Sequence, residues 1–479
     1  MGLKSGLRSS VNAASCCGFL QVPQHASLNF KKAPVFPDLC DMQRHGFRTG
    51  TKFILWTLFV IQLLLIGIFW VLQGVGDQSA GGTGAEETVA VNFIKSELRQ
   101  NSSRSEAPGG KTLRDDKIEV RLVSNFSTDF VTFPDSDSDG FENLTCFRQG
   151  IVEDLFGATR RLKKCRCLAE WHGKDCGQPE VIWRAFMTSK VPLVVSSART
   201  EPHKLVYMIT GNFFSLELLE IQVMELSSSV DFFVICNKKP KRLKMNFANA
   251  FHDRILIIES EPNTRSGRSS SSCTPKLAYK EFKSRLVQQA ISPDDIFVFS
   301  QDDEILNHRA VKYLKYYNFP GVMRFRLKYN VYGFYWQHPE STRLGSVAST
   351  FSHLEKNFKS DPERLLAVRK TNIIIGDLNH FGGWYCQFCY QPSEVIDRLQ
   401  DDSLPIFPRS VKNRQIDARY IQNLIASGLY VDGKLGLNKL HRFSDKYYAP
   451  AYVEQNGWKF DNILVNLFLS FDDDDEYET

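Results

Sequence analysis

Apolar residues gather along this chain in runs of two lengths. The longest, Phe53–Leu72, is FILWTLFVIQLLLIGIFWVL, and only Thr57 and Gln62 interrupt its 20 residues with polar side chains. A helix of that length crosses a bilayer core of about 30 Å, so the run predicts one membrane span. A secretory signal peptide has an apolar region of about 7–15 residues close to the N-terminus, whereas this run is longer and starts later. The other runs have the length of buried strands: Leu205–Thr210, Asp231–Cys236, Ile255–Ile258, Ile296–Phe299 and Asn372–Ile375. Between them Leu216–Leu226 sets apolar residues at 216, 219, 223 and 226, which is helical spacing, and Leu277–Ala290 and Val311–Tyr317 also read as helices. Strands alternating with helices predict an α/β domain whose mostly parallel sheet is covered on both faces.

These runs divide the chain. Residues 1–52 show neither period and read as a cytosolic tail before the span at 53–72. Residues 73–140 are rich in Gly, Ser, Asp and Glu apart from Val120–Val123, and predict a mostly disordered stem. Within it Asp135-Ser-Asp-Ser-Asp-Gly140 imitates the start of a calcium loop. Cys146 stands where that loop needs a glutamate, so the segment reads as a polar loop. A cysteine-dense unit follows at 141–178, the large α/β domain at 200–466, and a solvated acidic tail at 467–479 containing Phe471-Asp-Asp-Asp-Asp-Glu476.

Charge orients the chain. Lys31, Lys32, Arg44, Arg48 and Lys52 precede the span and Asp77 follows it, so the positive-inside bias keeps the N-terminus cytosolic and the bulk lumenal or extracellular. Three glycosylation sequons lie on that side, at Asn101, Asn125 and Asn143. Of eleven cysteines, Cys16, Cys17 and Cys40 precede the span and an even eight follow it, in the compartment where disulfides form. The formal net charge of +5 is small for 479 residues, and no Lys/Arg-rich run suggests nucleic acid, which sets that class aside.

The candidate chemistry sits after one strand. Ile296–Phe299 stops at Ser300, and Asp302, Asp303 and Glu304 then stand at the C-terminal end of a buried parallel strand, where open α/β sheets place their ligands. Carboxylate oxygens there suit Mg²⁺ or Mn²⁺ on a diphosphate; the competing reading is an acidic turn capping the helix near Asn307. Arg265–Cys273, RSGRSSSSC, is a flexible loop or a lid whose Arg265 and Arg268 meet phosphates. The aromatic stretch Phe325–Trp336, with Gly333 as a turn, ends in Tyr332-Gly-Phe-Tyr-Trp336. Such residues form either core or the floor on which a sugar ring stacks. His380-Phe-Gly-Gly-Trp384-Tyr-Cys386-Gln-Phe-Cys389 puts two glycines beside a His and a Trp, a pattern of backbone approaching a ligand. Cys386 and Cys389, with Cys236 and Cys273, are enough for two bridges whose pairing stays open.

Two resemblances add to this reading. Cys165-Arg-Cys167-Leu-Ala-Glu-Trp171-His-Gly173-Lys-Asp-Cys176 resembles the second half of an epidermal-growth-factor-like module, which implies Cys167–Cys176 and Cys146–Cys165 bridges. Metal binding by these four is the alternative, which an oxidising lumen opposes.

Residues from about Lys204 to Asn466 resemble the β-1,4-mannosyl-glycoprotein 4-β-N-acetylglucosaminyltransferases, which add the bisecting sugar to N-glycans. The stretches that carry this are Glu217-Leu-Leu-Glu, Val230-Asp-Phe-Phe-Val-Ile-Cys236, Asp294-Asp-Ile-Phe, Asp303-Glu-Ile305, Tyr332–Trp336, His380–Cys389, Phe407-Pro-Arg and Tyr448-Ala-Pro-Ala-Tyr, in the family's order.

The resemblance implies a single-pass type II Golgi membrane enzyme with a nucleotide-diphospho-sugar transferase fold of the GT-A type. UDP-N-acetylglucosamine would be the donor, Mn²⁺ (or Mg²⁺) the cofactor, and the core β-mannose of N-glycans on glycoproteins the acceptor, with a homo-oligomer left open. Transfer would invert the anomeric carbon, with Asp303 and Asp302 holding the metal, Glu304 or Asp417 as base, and Tyr332, Trp336, His380 and Trp384 meeting substrate. The chain departs from the family pattern at Gln301, which stands where an Asp is usual, at Gln222 in place of Arg, and at Asn237 in place of Glu. Those departures keep a second reading alive, a non-catalytic lumenal protein that binds a glycan or a partner on the same fold. A receptor built on the growth-factor-like unit is a third.

Overall fold

The apolar runs assemble side by side into one mixed sheet. The structure, a computed structural model, describes residues 60–62, 92–93, 117–134, 143–152, 164–189, 196–238, 246–259, 273–287, 290–318, 321–369, 371, 373–400 and 415–469. Residues 1–87 and 88–479 are two units. The expected cytosolic tail, the membrane run apart from helical residues 60–62, Asn101, the loop 265–272 and the acidic tail from 470 lie outside the described residues. No helix among the described residues is long and apolar enough to cross a membrane.

The ten strands of the sheet are β1 (Leu205–Gly211), β2 (Phe232–Asn237), β3 (Ile255–Glu259), β4 (Ile296–Gln301), β5 (Glu304–Leu306), β6 (Val322–Val331), β7 (Gly333–Thr350), β8 (Ile373–Ile375), β9 (Gly383–Gln387) and β10 (Asn438–Lys439). Their order is β5-β9-β6-β7-β4-β1-β2-β3, with β8 on β6 and β10 on β7. One half, β4-β1-β2-β3, is parallel, with registers such as Val206↔Phe232, Phe233↔Ile255 and Leu205↔Ile296. The other half is built on the antiparallel hairpin β6–β7, which joins β4 through Val347↔Phe299. β8 and β9 return parallel to β6, and β5 closes the edge antiparallel to β9.

Both faces of the parallel half are covered, and the strand period assigns the side chains. Leu205, Tyr207 and Ile209 of β1 with Ile296 and Val298 of β4 join one core, against helix α2 (Leu216–Leu226), whose Leu219, Val223 and Leu226 face it. Val206, Met208, Phe297 and Phe299 join the other, with Tyr279 and Phe282 of α3 (Pro275–Arg285). Burying one such Phe stabilises the fold by about 1.5–3 kcal/mol. The amphipathic run 277–290 forms a shorter helix than its pattern predicts. At Leu286 the backbone turns extended and pairs with Ile118, whose N–H donates to Arg285 O at 2.7 Å.

That pairing involves the expected stem. Residues 117–134 are not free: Ile118, Val120 and Phe130 are buried, and the Val123 N–H donates to Asp231 Oδ1 at 2.7 Å. Strand 130–134 then pairs with 143–147. The cysteine-rich segment carries bridges Cys146–Cys165 and Cys167–Cys176, and Tyr317 OH donates to Asp175 Oδ2 at 2.7 Å, so the segment is tied to the large domain. The two pairings left open in sequence are Cys236–Cys273 and Cys386–Cys389.

Candidate functional site at the end of β4

β4 delivers its last residue, Gln301, to a two-residue turn before β5 begins at Glu304. The turn is fixed from two sides. Asp302 Oδ2 accepts the N–H groups of Asn212 (2.9 Å) and Phe213 (3.0 Å), so its carboxylate binds the loop that leaves β1. Gly211 makes room for that contact, since a Cβ there would lie 2.1 Å from Asp302 Cγ. From α2, the Gln222 amide donates to Gln301 O at 3.2 Å and Asp302 O at 2.7 Å. Gln222 thus holds the acid turn through its backbone. Asn237 is buried at the end of β2, in register with Gly211.

Asp303 differs from its neighbours. It is 3% exposed, and its Oδ1 has no hydrogen-bond partner among the described residues. Burial first, then the charges of Asp302 and Glu304, pushes its carboxyl up to about 7, against the pull of Arg398 and Arg343. Its own backbone carbonyl accepts the Cys386 N–H at 2.9 Å, which seats the turn on β9 beside the Cys386–Cys389 bridge.

Glu304 is buried too, and burial raises its carboxyl, but it is spoken for: Oε2 accepts the Ser346 hydroxyl at 2.8 Å and the Gln301 N–H at 3.4 Å. Arg343 of β7 lies over the Tyr385 ring at 4.1 Å, and Tyr385 is Glu304's partner across β5–β9. Arg398, in helix α6 (Pro392–Leu399), lies over the Phe214 ring at 4.9 Å, and Phe214 in turn approaches Tyr390 with ring centroids 6.2 Å apart.

A divalent ion clamped by Asp302 and Asp303 does not fit this arrangement. Asp302 Oδ2 is committed to the β1 loop, Gln301 offers no carboxylate, and the unpartnered oxygen of Asp303 is fully buried. Among the described residues, the His, Cys, Asp and Glu ligand atoms that converge in a group of three belong to His203, Asp294 and Asp295, at the opposite ends of β1 and β4. There Arg199 holds Asp294 at 2.6 Å, and Asp295 accepts the N–H groups of Lys204 (2.7 Å) and Ser292 (2.6 Å).

The other predicted site residues are placed apart from the acids or inside the core. Asp417 is the N-cap of α7 (Ala418–Ser427), its Oδ1 accepting the Tyr420 N–H at 2.8 Å. Trp336 is buried and its Nε1–H donates to Ile425 O at 2.8 Å, while its ring packs on Gly428, whose φ of +64° ends α7. Tyr332 OH donates to Leu429 O at 3.1 Å, and Trp384 Nε1–H to Tyr447 O at 2.9 Å. None of these three rings offers an open face for a sugar. His380 pairs with Asp377 at 3.2 Å and approaches Glu180, at the start of α1 (Glu180–Met187). Asn125 and Asn143 are exposed, and Asn125 caps the turn after it by accepting the Thr128 N–H at 3.0 Å. The residues that sequence reasoning missed, Arg343, Arg398, Ser346 and Tyr390, carry no local motif, and only strand pairing and helix placement bring them to the turn.

An α/β sheet with a buried acid turn at the carboxyl end of a central parallel strand is the arrangement of a ligand-binding α/β protein. The model of glycosyltransferase family 17 matches residues 196–436, just over half of the chain, and the chain belongs to that family. The protein is similar to the β-1,4-mannosyl-glycoprotein 4-β-N-acetylglucosaminyltransferases of Homo sapiens and Mus musculus. Each is 26% identical over 350 residues, which cover 65% of this chain and 64% and 63% of those proteins. The match therefore spans less than two thirds of the length of these relatives. Family membership implies a sugar donor and an acceptor.

Proposed function

We propose that this protein transfers N-acetylglucosamine from UDP-N-acetylglucosamine, with inversion, in β1,4 linkage to the core β-mannose of N-glycans. It would work as a type II Golgi membrane protein, anchored by residues 53–72, on a GT-A-like domain. Family 17 membership and the similarity to β-1,4-mannosyl-glycoprotein 4-β-N-acetylglucosaminyltransferases at 26% identity support the reaction class.

The observation that carries the reading is the buried, unpartnered Oδ1 of Asp303 at the end of β4. The acceptor hydroxyl attacks the anomeric carbon as its bond to UDP breaks, the electron pair leaving on the β-phosphate oxygen and the hydroxyl proton passing to a carboxylate. Asp417 caps a helix, Asp302 binds the β1 loop and Glu304 takes the Ser346 hydroxyl. Asp303, with its carboxyl near 7, is the acid left to accept that proton.

The test is transfer from UDP-N-acetylglucosamine to a biantennary glycopeptide. The wild type should transfer, and Asp303→Asn should lower kcat by about 10²–10⁴ while UDP still binds. Absence of transfer by the wild type, with the glycopeptide bound, would favour the non-catalytic glycan-binding reading, which the departures at Gln301, Gln222 and Asn237 motivate.

A further inference from the structure

Leaving UDP carries a diphosphate whose negative charge must be met by something. The acid turn, with Oδ2 of Asp302 spent on a loop and a glutamine at 301, is poorly equipped to do it through a cation. Two side chains near it are equipped. Arg343 of β7 lies over Tyr385, the partner of Glu304 across β5–β9, and Arg398 of α6 lies over Phe214, next to Phe213, whose N–H binds Asp302. Neither forms an ion pair or a side-chain hydrogen bond among the described residues. Each is instead braced on a ring, Tyr385 at 4.1 Å and Phe214 at 4.9 Å. A guanidinium seated over an aromatic face is partly stripped of water and can turn its N–H groups to phosphate oxygens, which it meets bidentately.

We infer that Arg343 and Arg398 together hold the diphosphate of the nucleotide-sugar donor and take the place of a divalent cation at this site. This rests on the reading of the protein as a nucleotide-sugar transferase. The two arginines come from different elements, β7 and α6, and both are seated on rings next to residues that hold the turn. The aromatic rings beneath them, delivered by β9 and by the loop after β1, set the height at which the forks are presented.

Titration of UDP and of uridine into the purified full-length protein in detergent, with EDTA and then with Mn²⁺, tests this. UDP should bind in EDTA within about threefold of its affinity in Mn²⁺. Arg343→Met and Arg398→Met, which keep the apolar stem over the ring, should each weaken UDP about tenfold and leave uridine unchanged, the scale of one lost charge-assisted hydrogen bond. Arg343→Lys, which keeps the charge and loses the fork, should weaken UDP less than Arg343→Met, and serves if the methionine variant fails to fold. UDP binding that disappears in EDTA and returns with Mn²⁺ would overturn the inference and leave the transferase reading intact, as would methionine variants with unchanged UDP affinity. Failure of UDP to bind in either buffer would overturn both.

Discussion

Lys328 holds an ammonium group in a place that costs charge. It lies on β6 with its Nζ donating to Tyr447 O at 3.2 Å and facing the Phe381 ring at 5.6 Å, and burial lowers its pKa to about 8, with Asp445 opposing. Between about 8 and its ordinary value of 10.5, the unfolded chain holds the proton more tightly than the folded one, so stability rises with pH across that window. The contribution is full above the unfolded pKa and lost as pH falls through the folded one. Denaturant unfolding at pH 7 and pH 10 should show the wild type gaining about 2–3 kcal/mol relative to Lys328→Met, which does not titrate. Equal pH dependence of the two proteins would show that Lys328 is solvated. At this scale the sequence was legible for the acid turn and silent on its use. Asp302, Asp303 and Glu304 are consecutive, yet one binds the β1 loop, one has an unpartnered oxygen and one takes a serine hydroxyl, because the chain turns between β4 and β5.

Elements were legible where both faces of a strand are apolar. β1, β2 and β4 appear within a residue or two of their runs because a parallel strand buried on both sides reads as continuous hydrophobicity. Of the hairpin β6–β7 only the turn at Gly333 was legible. Its aromatic stretch mixes buried polar residues such as Asn330 with rings, and its long second strand has exposed and half-buried positions at its middle. This is also why Tyr332 and Trp336 drew a sugar-binding reading. Packed under α7 with its indole N–H on Ile425 O, Trp336 is a wedge between hairpin and helix. Trp336→Ala should therefore lower the unfolding free energy by about 3–5 kcal/mol, the cost of a large core deletion. A stacking residue at the surface would instead raise KM for acceptor with stability nearly unchanged, so chemical denaturation and steady-state kinetics of the same variant separate the two roles.

For the whole molecule, the reading of residues 73–140 as a mostly disordered spacer does not hold for residues 117–134. Composition misled because the buried apolar residues there, Ile118, Val120 and Phe130, are few among polar ones, and they divide between the two cores, Ile118 and Val120 in one and Phe130 in the other. Their contacts are also polar. Asp129 pairs with the nearly buried Lys312 at 2.6 Å, and Asp231, already bound to buried Lys315, takes the Val123 N–H. Removing the segment would leave Lys312 without its carboxylate, a loss of about 3–5 kcal/mol where a buried ion pair is broken on one side. A chain shortened to begin at residue 140 should then melt well below one that begins at residue 112, although both retain the residues matched by the family. Supplying residues 112–139 as a separate peptide should raise the melting temperature of the shorter chain, since anything that binds the folded state alone stabilises it by mass action. Equal melting temperatures for the two chains would return this segment to the role of a tether.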